Sequence, residues 1–118
     1  MSTRIDRLGD LVRAELSELL RREVRDPRVA LATVSRVEVT SDLRHAQVWV
    51  SALGSDEQRD ATIAALDHAR GYLRRELAHR LDLRVTPELH FKLDRGAEHS
   101  QRISDLLDRL HGEDPSDS

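Results

Sequence analysis

Cysteine is absent from the chain. That excludes disulfides and thiolate zinc sites, and it fits a reducing compartment. Aromatic residues make up only 3% of the sequence, so base stacking cannot be the main source of affinity for a nucleic acid. No hydrophobic run approaches the roughly 18 residues that a membrane-spanning helix needs. Met1-Ser2-Thr3-Arg4-Ile5-Asp6 lacks the apolar stretch of a signal peptide. A soluble, cytoplasmic protein is expected. Catalytic signatures are missing too: there is no G-x-G-x-x-G, no P-loop, no G-x-S-x-G and no H-E-x-x-H. The six histidines, His45, His68, His79, His90, His99 and His111, have no cysteines beside them. His90 reads as a solvated residue on a polar strand face rather than a ligand, and neither a metal nor a cofactor is expected. Most acids belong to helix surfaces with an arginine three or four residues away, as Glu18 has Arg21 and Arg22. No carboxylate pair sits in an apolar setting that would tune its pKa. The chain reads as a non-enzyme.

What the sequence does contain is patterned charge and patterned leucine. The formal net charge of −3 is unevenly spread. From Asp94 onward seven acids face three arginines, whereas residues 1–93 hold 16 basic and 15 acidic side chains. The folded part is therefore neutral with local basic clusters, and a strongly basic footprint is absent. A chain of 118 residues makes one domain and buries enough surface to need no staples.

The pattern gives the order helix, strand, strand, helix, helix, strand. Ile5 to Val24 repeats its apolar residues at helical spacing, with Thr3 and Asp6 placed as a capping box and Asp26-Pro27 as the stop. Val34 to Thr40 and His45 to Ala52 alternate, and the polar Thr40-Ser41-Asp42-Leu43-Arg44 joins them as a hairpin. In the second strand Ala46, Val48, Val50 and Ala52 point inward; Gln47, Trp49 and Ser51 point outward. A third strand starts at Thr86-Pro87, with Leu89, Phe91 and Leu93 on one face and Glu88, His90 and Lys92 on the other. One apolar sheet face calls for a covering layer of helices, an α+β arrangement. Residues 1–96 form this domain. Residues 97–118 are expected as a C-terminal tail with a short helix around Ile103, Leu106, Leu107 and Leu110 and a disordered end.

The chain is organised around residues 56–84. Ile63, Leu66, Leu73, Leu77 and Leu81 make one stripe, into which a straight helix would point Arg70. Gly71 follows, a residue that costs a helix interior about 1 kcal/mol relative to alanine. A kink at Ala69-Arg70-Gly71, giving two helices, turns Arg70 outward; the alternative is a straight helix with Arg70 snorkelling to its edge. Charge divides at the same place, with four acids over 56–67 and five arginines over 68–84. Matching to the helix dipole explains such a pattern. So does a phosphate-binding surface built from Arg70, Arg74, Arg75, His79, Arg80 and Arg84. Arg21, Arg22, Arg25 and Arg28 form a second basic cluster, for which dipole matching is the stronger account. Trp49 is the odd aromatic: it either stacks on a partner or packs beneath the chain's own tail.

These residues together resemble the ribosome-binding factor A family of bacterial small-subunit assembly factors. Val39-Thr40-Ser41-Asp42-Leu43-Arg44-His45-Ala46-Gln47-Val48-Trp49-Val50-Ser51 is the most specific stretch. Asp26-Pro27-Arg28, Pro87-Glu88-Leu89-His90-Phe91 and Ala69-Arg70-Gly71 support it, the last as that family's Ala-x-Gly kink. The resemblance runs from Arg4 to about Leu110. It implies a type II KH-like fold, binding to the immature small ribosomal subunit and its rRNA precursor, and support for late rRNA maturation, including in the cold. It also implies that the kink replaces the Gly-x-x-Gly loop with which ordinary KH domains clamp nucleotide backbones, a loop this sequence lacks. A non-catalytic assembly factor, monomeric when free, is the reading that follows. A free-standing single-stranded-RNA-binding KH-like domain and a protein-interaction adaptor using Trp49 are the alternatives.

Overall fold

The computed structural model describes residues 3–96. The short helix and disordered end expected within 97–118 lie outside them. The first helix, α1 (Arg4–Arg22), opens on the anticipated capping box. The Thr3 hydroxyl accepts from the Asp6 N–H at 3.1 Å, and the Thr3 N–H donates to the Asp6 carboxylate at 3.1 Å. Val12, Leu16 and Leu19 are fully buried along one side. Gly9 lies on that side too. A Cβ at position 9 would stand 2.6 Å from the Val37 carbonyl oxygen, so the missing side chain is what lets α1 lie directly against the sheet. Beyond Pro27 a single 3-10 turn, Val29–Leu31, leads into the first strand.

Strands β1 (Ala32–Val39) and β2 (His45–Ala52) form the expected antiparallel hairpin. Its turn is held by Asp42, whose carboxylate accepts from the Thr40 hydroxyl at 2.6 Å and the Arg44 N–H at 3.0 Å. Leu43 takes a left-handed φ of 63° there. The pairing register shifts between Val34 and Arg36, leaving Ser35 as an extra residue. Strict alternation would put Val34 and Val39 on opposite faces. The bulge brings both to the inner face, where both are buried.

The third strand, β3 (Glu88–Leu93), runs parallel to β2, giving the sheet order β1-β2-β3. Parallel neighbours need a long crossover, and that crossover is the second helix, α2 (Asp56–Leu81). Ser55 caps it reciprocally with Gln58, and Gly54 before it adopts φ 112°, where a side chain would be strained and would run into Gln58. Asp82 ends it in the left-handed region with its N–H on the Ala78 carbonyl. Both helices cover one sheet face. Leu66, Leu73 and Leu77 of α2 meet Leu16 and Leu19 of α1 over Ala46, Val48, Val50 and Leu89, all fully buried.

The expected pair of helices is corrected: 56–81 is one helical element. Buried Thr62, Leu66, Leu73 and Leu77, with half-buried Ala69 between, step along it at intervals of four, three, four and four residues. Ala69, not Arg70, therefore occupies the stripe at its centre. Arg70 lies one residue off it and is exposed, without any break in the helix.

Candidate nucleic-acid interface

The arginines singled out from the sequence fall into two groups by what their guanidinium groups already hold. Arg74 is fastened to the loop before β3: its Nε and Nη2 donate to the Thr86 carbonyl at 3.2 and 2.9 Å. Arg80 leaves α2 on the other side, toward α1, where its two terminal nitrogens lie 3.6 Å from Glu15 and 3.7 Å from Glu23. Arg21 and Arg22 both pair with Glu18, at 2.7 and 3.1 Å. Arg28 is engaged more completely. Its Nε and Nη2 donate to the two Asp26 oxygens at 3.0 and 2.7 Å, and its backbone N–H donates to the same carboxylate at 3.0 Å. These bonds from Arg28 pull the Asp26 carboxyl down from the ordinary 3.8 to about 2. A planar fork already occupied by a carboxylate is not free for phosphate.

The second group is uncommitted. Arg70, Arg75, His79 and Arg84 are exposed and make no ion pair among the described residues, and the same holds for Arg25 beyond α1. Arg75 and His79 are four residues apart and share the solvent face of α2, with exposed Gly71 one turn before them. The nearest atom to a Cβ at Gly71 would be Arg75 Nη1 at 3.8 Å, so the bare backbone at 71 leaves open space beside the arginine. Arg70 lies one turn before Arg74 on the flank, and Arg84 extends the charge into the loop after α2. Glu23, held by Arg80, directly follows Arg21 and Arg22, so this ion pair draws the basic ends of the two helices toward each other.

Among the described residues no helix covers the opposite face of the sheet. There the Arg36 guanidinium sits 4.8 Å above the Trp49 ring, its neighbour in the hairpin ladder. Packing of Trp49 beneath a tail helix concerns residues outside those described. The same face unites three residues that the sequence pattern leaves apart. His45 pairs in register with Glu88, and His90 follows two residues along β3 on the same side. His45 Nδ1 and His90 Nε2 are 3.0 Å apart, and Glu88 Oε2 lies 3.7 Å from His45 Nδ1. His90 is thus not simply a solvated strand residue. The signal was hidden because it depends on the β2–β3 register, which no local spacing encodes.

No described helix is long and apolar enough to cross a membrane. The family model described as ribosome-binding factor A matches residues 4–107. Ribosome-binding factor A of Thioalkalivibrio sulfidiphilus is 46% identical over 112 residues, covering 95% of this chain and 87% of that protein. The Thermomicrobium roseum protein of the same name has the same identity and coverage. The crystal structure of ribosome-binding factor A from Thermus thermophilus matches with a TM-score of 0.71 at 29% identity, covering 80% of this chain and 100% of that one. A homology model of the Thermus thermophilus factor, fitted into a cryo-EM map of a 30S complex with that factor, matches at a TM-score of 0.65 and 30% identity, covering 76% of this chain and 94% of the other. The fold is the α+β, KH-like one they share, and on the length and identity of these matches the chain belongs to the ribosome-binding factor A family.

Proposed function

We propose that this chain is a non-catalytic assembly factor that binds the immature small ribosomal subunit and its rRNA precursor. The observation that carries this is the family match over 4–107, joined to the structural match with a relative fitted into a 30S complex. The factor works in the cytoplasm, is a monomer when free, and supports late rRNA maturation, including in the cold. It grips RNA through contacts to phosphate made by the uncommitted side chains Arg70, Arg75, His79 and Arg84, with Arg25 at the end of α1. Arg74 and Arg80 mainly brace the fold that presents them, while Arg28 is engaged by Asp26 and Arg21 and Arg22 share Glu18 within α1. The sequence lacks a Gly-x-x-Gly loop, so an ordinary KH clamp on a single strand is unavailable to it. Exposed arginine forks suit phosphate oxygens, and such contacts release counterions.

The test is salt-dependent binding to purified immature small subunits. For each phosphate contact, log affinity falls with log salt by about 0.7 on single strands and about 0.9 on duplex RNA. The double variant Arg70→Glu/Arg75→Glu removes two exposed cations that brace nothing. It is expected to bind more weakly, with a flatter salt slope and an unchanged melting temperature. An unchanged slope in the folded variant moves the contact off this face. Tight binding to short oligonucleotides instead points to a free-standing single-strand binder, and a main complex that survives nuclease treatment points to a protein adaptor.

A further inference from the structure

We infer that His45, Glu88 and His90 form a binding site for a first-row divalent transition ion such as Zn²⁺ on the outer face of the sheet. Their donor atoms all lie within 4.8 Å of one another. The backbone fixes this convergence. Glu88 N–H donates to the Arg44 carbonyl at 2.8 Å, which locks the start of β3 beside the start of β2. The register then sets His45 opposite Glu88, with His90 on the same face one repeat along. Two neighbouring strands supply three ligands, and neither strand needs to move.

The spacing of the two histidine nitrogens suits a metal ion. Two nitrogens each about 2.1 Å from one ion stand about 3.0 Å apart at a right angle and about 3.4 Å apart at the tetrahedral angle. His45 Nδ1 and His90 Nε2 are 3.0 Å apart. With neutral rings and no ion, one N–H is shared between those two nitrogens. Moving that one proton to the far nitrogen of its own ring leaves both facing lone pairs for the ion without releasing a proton. Glu88 Oε2, at 3.7 Å from His45 Nδ1, needs a small rotation of an exposed side chain to become the third ligand. Two imidazoles and one carboxylate favour zinc, nickel or copper over magnesium or calcium, which take oxygen ligands. The remaining positions face solvent. A bound ion would tie β2 to β3 at the end where the hairpin turn and the loop after α2 converge.

The full chain, stripped with a chelator, is titrated with Zn²⁺ by calorimetry and by NMR of its histidine rings. One Zn²⁺ per chain is expected. The rings of His45 and His90 should shift together while that of His68, on α2, does not. His45→Ala and His90→Ala should each weaken binding about tenfold or more, as the loss of metal-site groups does, and His68→Ala should leave it unchanged. The NMR readout uses the unaltered chain, so it holds even if a variant folds poorly. The inference is overturned if the His45 and His90 rings do not respond to Zn²⁺, or if folded His45→Ala and His90→Ala variants bind it as the parent does.

Discussion

Two glycines in helices show how a single side chain's surroundings set its role. At Gly9 an added methyl meets the Val37 carbonyl oxygen at 2.6 Å, and that oxygen is backbone within the sheet. At Gly71 the nearest neighbour is the mobile end of Arg75 at 3.8 Å. Gly9→Ala should therefore destabilise the protein by about 1–3 kcal/mol. Gly71→Ala should stabilise it by about 0.5–1 kcal/mol through helix propensity. Paired thermal melts check both signs. A loss at 71 would show that the middle of α2 bends in a way that needs glycine. Asp26 gives a second prediction at this scale. Its carboxyl is held near 2, chiefly by the Arg28 side chain, against an ordinary value of 3.8. The folded value is the lower one, so the contact stabilises the fold above about pH 3.8 and is lost as pH falls toward 2. Carbon-detected NMR should find Asp26 titrating near 2, and Arg28→Ala should return it toward the ordinary range. Arginines of similar appearance in sequence also separate here. Arg74→Glu strips two hydrogen bonds from the Thr86 carbonyl and should lower the melting temperature, whereas Arg75→Glu should not. The pairing of Arg21 and Arg22 with Glu18 was legible from spacing, but the commitment of Arg74 and Arg80 was not, because Thr86, Glu15 and Glu23 reach these side chains only through tertiary packing.

Among the elements, α2 carries most of the organisation. It bridges the parallel strands, and its stripe of Leu66, Leu73 and Leu77 is fully buried against both α1 and the sheet. Leu73→Ala should cost about 2–5 kcal/mol in chemical denaturation, the range for a buried leucine truncation. A cost below 1 kcal/mol would mean the helix is not seated as described. The existence and boundaries of the elements were largely legible. Alternation placed β2 at His45–Ala52, and Thr3 and Asp6 marked the start of α1 correctly. Ser55 and Gln58 carry the same signature at the start of α2. Two features were beyond local pattern. The Ser35 bulge reverses the facing of Val34, and a one-residue insertion leaves no compositional mark. The α2 stripe follows intervals of three and four that put alanine, a weak hydrophobic signal, at its centre. A stripe drawn through Ile63 and the leucines alone therefore runs into Arg70, which is what suggests two helices.

At the scale of the molecule, the sheet has two faces with different roles. The inner face holds the core, and the helices over it turn Arg75 and His79 outward on α2, with Arg70 and Arg84 nearby. The outer face keeps Trp49 under Arg36 and gathers His45, Glu88 and His90. Family membership was legible because the hairpin stretch 39–51 combines turn chemistry at Asp42 with the inward alternation of Ala46, Val48 and Val50. The proposed contact surface was less legible, since an exposed arginine and one braced by a distant partner read alike until the fold places that partner. Everything proposed about RNA depends on the chain recognising immature small subunits. Sedimentation of tagged protein through a sucrose gradient of cell extract tests that most directly. The account predicts that it migrates with small-subunit particles enriched in unprocessed rRNA, and that raised salt releases it. Protein remaining at the top of the gradient at low salt, while the particles sediment without it, would contradict the account.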